Sequence, residues 1–170
     1  MTLLLLRVDE RLIHGQVVMG LRGALRFDRI LVADDALAGD AWEREVLLSG
    51  APPDIAAQAL DVASAARRLT EGLPGRAILL VRSPAVVLDL VRGGAPIREV
   101  NLGGLRARRR ARRFLDYLYF TPEDIAALRE MDARGIRLTG QDLPGHPAVS
   151  LNAALAEGRL EYDQLPAGDS

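Results

Sequence analysis

The sequence contains no cysteine, which excludes disulfides, thiolate metal sites and cysteine nucleophiles together. It contains no lysine either: all 22 basic side chains are arginine, so any mechanism that depends on a lysine is closed to it. Only two histidines occur, His14 and His146, too few for a multi-histidine metal cage, and neither a metal nor an organic cofactor is expected. Long apolar runs are missing as well. Leu3 to Leu6 opens apolar, but Arg7, Asp9 and Arg11 interrupt it too soon for a secretory leader or a membrane span. A cytosolic protein is expected. A formal net charge of −1 removes bulk attraction to polyanions.

What remains is ordinary for a folded domain. Hydrophobic residues at 49% and charged residues at 26% are too apolar for disorder, and 170 residues suit a single domain over 1–170. Four short apolar runs lack strict alternation: Leu3–Val8, Arg29–Asp34, Arg76–Arg82 and Ile97–Leu102. Such runs predict strands buried on both faces, as in a parallel sheet. Helical stretches alternate with them, at Gln16–Leu25, Ala41–Leu48, from Asp61 to Leu69, and at Pro84–Val91. Asp61 and Thr121 are N-cap residues, and Pro84 and Pro122 stand at first helical positions. Tyr117–Phe120 and Ile136–Thr139 read as further strands, with a helix to about Arg134 between them. The fold class is therefore α/β, with an open, mostly parallel central sheet and helices on both faces.

The segment Arg7-Val-Asp-Glu-Arg-Leu-Ile-His-Gly-Gln-Val17 leaves the first strand, crosses a short loop and enters a helix. Ligands of open α/β sheets bind beyond the carboxyl ends of the strands, and a helix start offers free amides and a positive dipole end. These residue types suit a phosphohistidine. A neutral imidazole, His14, is a nucleophile near pH 7 and its nitrogen is a fair leaving group. Arg11 supplies a planar two-pronged donor for phosphoryl oxygens. Gly15 permits close approach, the amides of Gly15 and Gln16 can face a phosphate, and Asp9 can orient either Arg11 or one imidazole nitrogen.

The string Val8–Val17 closely resembles the active-site signature of the mannose/fructose/sorbose family of phosphotransferase-system enzyme IIB proteins. Val32-Ala-Asp-Asp35, Asn101-Leu-Gly-Gly104, Tyr119-Phe-Thr-Pro-Glu-Asp124 and Gln141-Asp-Leu-Pro144 resemble that family's later segments in order and spacing. The resemblance implies a carrier that takes a phosphoryl group from IIA on Nδ1 of His14. It passes the group to a hexose entering through the membrane components IIC and IID. It also implies a cytoplasmic protein held at the membrane through those partners. A regulatory phosphohistidine protein that phosphorylates no sugar keeps the same motif. The particular sugar and any homo-oligomer are not readable from these residues.

Other constellations weigh less. Asp34-Asp35 follows the second strand; a receiver-like phospho-aspartate domain places its acidic pair after the first and uses a lysine, which is absent here. A P-loop fails for the same reason, and no G-x-G-x-x-G follows a strand. Ser83, His14 and Asp34 lack the elbow of a serine hydrolase. Asp34, Asp35, Ser83, Asn101 and Gly103 are candidates for lining the His14 crevice. The alternatives are a capping role for Ser83 and a tight positive-φ turn for Asn101–Gly104. Arg106–Arg113 holds six arginines in eight residues and reads first as a solvated loop or helix face, with an acidic partner or anionic lipid as alternatives. Nucleic acid is not expected.

Overall fold

The computed structural model describes residues 2–72 and 75–167, apart from the side chains of Thr2 and Gln16. Its strands are β1 (Thr2–Asp9), β2 (Arg29–Ala33), β3 (Ala56–Leu60), β4 (Arg76–Val81), β5 (Glu99–Gly104), β6 (Arg112–Leu115), β7 (Leu118–Phe120), β8 (Arg137–Gly140) and β9 (Val149–Ser150). The helices are α1 (Gly15–Leu25), α2 (Asp35–Gly39), α3 (Ala41–Leu48), α4 (Val62–Glu71), α5 (Pro84–Arg92), α6 (Pro122–Ala133) and α7 (Leu151–Ala156). Seven strands form one sheet in the order β3-β2-β4-β1-β5-β8-β9. Every pairing in it is parallel except β8 with β9. Strands β6 and β7 form a separate antiparallel hairpin, which meets the end of β5 through a bridge between Leu105 and Leu118.

Both faces of the sheet are covered, as continuous apolar runs require. Along β4, Ala77, Leu79 and Val81 enter one core cluster while Ile78 and Leu80 enter the other, and β2 divides its residues the same way. The larger cluster takes side chains from α4, α5, α6 and α7; the smaller takes them from α1 and the α2–α3 region. Helix starts follow the expected chemistry. Asp61 accepts from the amide of Ser64 and Ser83 from that of Val86, while Thr121 and Asp124 close a reciprocal capping box.

One expectation is corrected and two are sharpened. Asn101–Gly104 is not a turn: it is extended strand, and neither of its glycines has positive φ. Tyr117–Phe120 holds a strand as read, β7, and it pairs with β6 in the separate hairpin. Residues 106–110 are exposed and lie in the loop before β6, as the solvated-loop reading has it, while Arg112 and Arg113 belong to β6 and four of the six arginines have acidic partners.

Strand β1 lies at the centre of the sheet, between β4 and β5. Its carboxyl end therefore opens where neighbouring strands on both sides can contribute side chains. His14 is reached five residues later.

Candidate functional site

Leu6 and Val8 of β1 face the larger cluster, while Leu5 packs against the smaller one, so the strand's alternation turns Arg7 and Asp9 toward the α1 side. Both are buried, with relative exposures of 1% and 0%. A buried charge survives only when paired and hydrogen-bonded. Arg7 meets this demand through its two terminal nitrogens, while its buried Nε has no partner. Its Nη2 donates to Asp9 at 3.1 Å, its Nη1 to Oδ1 of Asn101 at 2.8 Å, and the two nitrogens reach the carbonyls of Gln141 and Asp142 at 2.9 and 2.6 Å. Burial pulls the Arg7 guanidinium below its ordinary range, and the Asp9 carboxylate pushes back.

Asp9 is shared between two arginines. Its other oxygen accepts from the backbone N–H of Arg11 and from Arg11 Nε, both at 3.2 Å, and Arg11 Nη2 approaches Oδ2 at 3.4 Å. Of the two roles open to Asp9, orienting Arg11 is the one the geometry contains. Arg11 keeps 41% of its side chain exposed, so the guanidinium is anchored on one edge and available on the other. A pocket of about 310 Å³ opens beside it, lined also by Arg106, Tyr117 and Tyr119.

The loop then turns sharply. The amide of Leu12 bonds back to the carbonyl of Asp9 at 2.9 Å, and Leu12 adopts φ 56°, a left-handed conformation disfavoured for a branched residue. Its fully buried side chain, in the smaller core cluster, holds that conformation. His14 is the N-cap of α1 in extended conformation and makes no side-chain cap bond. Val18 is the first amide to find an intrahelical acceptor, the carbonyl of His14, so the amides of Gly15 and Gln16 lie in the turn that has none. The imidazole is half-buried. Its Nδ1 lies 3.1 Å from the carbonyl of Leu12, while Nε2 is buried without a partner.

The remaining candidates divide. Asn101 and Gly103 lie beneath the site, through Arg7: a Cβ on Gly103 would fall 1.7 Å from Arg7 Cζ. Asp34 caps α2 through the amide of Leu37 and pairs with Arg82, whose Nη1 reaches the carbonyl of Glu10 at 3.1 Å. It thus touches the His14 loop at one remove. Asp35 instead accepts from the amide of Val62 at 2.8 Å, and Ser83 is engaged in capping α5. The side chain of Gln16 lies outside the described residues. Among the described residues, no three metal-ligating side chains come together. Arg7, Glu10 and Arg82 escape a reading of residue types. The available signal is spacing: Arg7 and Asp9, two apart on a strand buried on both faces, must share one side.

The chain matches the family model of the PTS system sorbose subfamily IIB component over residues 3–165. It belongs to that family. It is 32% identical to the fructose-specific EIIB component of Bacillus subtilis (strain 168), over 85% of this chain and 90% of that protein. It is 33% identical to the mannose-specific EIIAB component of Escherichia coli (strain K12), covering 86% of this chain but spanning only 46% of that longer protein. The IIBSor domain of the sorbose permease from Klebsiella pneumoniae superimposes with a TM-score of 0.84 at 28% identity, over 92% of this chain and 98% of that one. This IIB chain therefore has the phosphoryl-transfer role of its family within the phosphotransferase system. Among its described residues, no helix is long and apolar enough to cross a membrane.

Proposed function

We propose that His14 is the phosphoryl acceptor of this IIB chain, receiving the group from IIA and passing it to a hexose that enters through IIC and IID. The observation that carries this reading is the placement of His14, the half-exposed Arg11 and the first amides of α1 on one short loop at the carboxyl end of the central strand. Arg11 is held by a carboxylate that is itself held by Arg7, so its charge is in place before any phosphate arrives.

The chemistry follows from these groups. An imidazole Nδ1 lone pair attacks phosphorus as the P–N bond to the donor imidazole breaks, and that pair of electrons returns to the donor nitrogen. The contact with the Leu12 carbonyl, an acceptor only, requires the ring proton on Nδ1. Acceptance therefore begins with the ring turning away from Leu12 and the proton moving to Nε2. Arg11 and the amides of Gly15 and Gln16 face the three phosphoryl oxygens during transfer. In the second half, a sugar hydroxyl oxygen attacks phosphorus and its proton passes to solvent, the P–N bond breaks, and its electron pair returns to His14 Nδ1 as the lone pair.

Labelled phosphoenolpyruvate with the general phosphotransferase proteins and IIA tests the reading. The wild-type chain and His146→Ala take up label, whereas His14→Ala takes up none. Label retained by His14→Ala would place the acceptor elsewhere.

A further inference from the structure

Helix α3 buries none of its eight residues fully, and it carries Trp42, 73% exposed, and Val46, 52% exposed, one turn apart. Together with Met19 of α1, 65% exposed, these are the large apolar side chains left in the open among the described residues. Scattered single apolar residues on a surface need no explanation, but these three lie on the two helices that flank the His14 loop on one side of the sheet. Leu47 and Leu48 of α3 pack against the same cluster as Val17, Val18 and Leu21 of α1. Just past α3, a Cβ on Gly50 would stand 3.4 Å from Ile13 Cγ2, directly before His14. Met19 precedes by one turn Arg22, which pairs with Asp54 in the segment that follows α3.

We infer that this face, α3 with Met19, seats the phosphorylated donor protein; the inference rests on the role proposed for His14. The argument is one of area. A protein that delivers a phosphoryl group to His14 must cover the surface around it, and a standard interface occupies about 800 Å² on each partner, a patch roughly 16 Å in radius. An eight-residue helix is only ~12 Å long, and Gly50, just past α3, lies within a Cβ's reach of Ile13. The footprint of a donor therefore extends over α3. On the β5 side of the loop the surface is charged and internally paired, Arg106 with Glu10. Interface centres favour tryptophan and methionine and are depleted in charge, which assigns the apolar flank to the donor's contact and leaves the charged flank at the rim.

The test separates chemistry from docking. Phosphoramidate, a small phosphoryl donor, is applied to the full chain beside phosphorylated IIA, with wild type, Trp42→Ala and Val46→Ala compared. The α3 variants lose no buried side chain and keep the fold. The expected result is equal labelling by phosphoramidate in all three, with a rise of about tenfold in the IIA concentration that half-saturates transfer for Trp42→Ala. Fluorescence of Trp42, the sole tryptophan, shifts when wild type binds IIA. An unchanged half-saturating concentration with unchanged fluorescence overturns the docking inference alone. Loss of a self-associated species in sedimentation of Trp42→Ala, with IIA transfer unaffected, overturns it in favour of a contact between two copies. Failure of phosphoramidate and IIA alike to label wild-type His14 instead overturns the reading beneath it.

Discussion

The guanidinium of Arg7 fills the space that a side chain on Gly103 would need: a Cβ there would stand 1.7 Å from Arg7 Cζ and 1.9 Å from Nη2. Glycine at 103 is thus a packing requirement and not a turn. Gly103→Ala must displace Arg7 and strand the buried Asp9 carboxylate without its inner partner. We expect a loss of about 3–5 kcal/mol, the usual result of breaking a buried ion pair from one side. Urea denaturation measures it, and a midpoint within experimental error of wild type contradicts the packing described.

Arg11→Lys keeps the positive charge but loses the fork that grips Asp9 through Nε and Nη2. A lysine ammonium on that carboxylate has no second edge with which to face a phosphate. Transfer of label to His14 slows by about tenfold or more, with thermal stability close to wild type. Transfer at the wild-type rate removes the clamp role from Arg11.

Asp142 gives a pH signature. Burial raises its carboxyl pKa, but the backbone N–H of Leu143 and the side chain of His146 outweigh it and hold the carboxyl below its ordinary 3.8. The folded protein therefore surrenders this proton more readily than the unfolded chain. Its stabilising contribution is complete above 3.8 and disappears as pH falls through the lower folded value. In urea midpoints taken from neutral pH downward, the gap between wild type and Asp142→Asn narrows below about pH 4. A gap that does not change with pH shows that the contribution is not ionic.

Arginines 106–113 differ in what they hold. Arg108 pairs with Asp124, the buried carboxylate of the α6 capping box, whereas Arg109 makes no ion pair among the described residues. Asp124→Ala removes the reciprocal half of the capping box and the ion pair together, leaving the Thr121 cap, and costs about 2 kcal/mol. Arg109→Ala leaves thermal unfolding unchanged. Equal destabilisation by the two substitutions contradicts this division.

Much of the arrangement was readable in advance because its causes are local. Apolar runs at β1, β2, β4 and β5 and caps at Asp61, Ser83 and Thr121 declare themselves within a few residues. Strand β3 did not, because Ala-Ala-Gln-Ala-Leu has weak strand propensity and is held by its pairing to β2 at the sheet edge. Strand β6 was hidden in the arginine run, where charge masks the hairpin that Phe114 and Phe120 help to close. The support beneath Arg11 was missed for a different reason. Arg7 reads as the end of an apolar stretch until Asn101, Gly103 and the carbonyls of Gln141 and Asp142 are brought to it, and those lie some hundred residues away.

The backbone of Glu10 is gripped from both neighbouring strands, its N–H by the carbonyl of Gly104 at 3.0 Å and its carbonyl by Arg82 at 3.1 Å. Helix α1 fixes the chain again from Gly15 onward. Between these anchors Arg11 is tied to Asp9 and Leu12 and Ile13 are buried, so the loop is fixed to the body that carries it. On the role proposed for His14, its cargo is therefore handed over from a rigid body. On that role, a change of partner calls for one whole protein to leave before the next can dock.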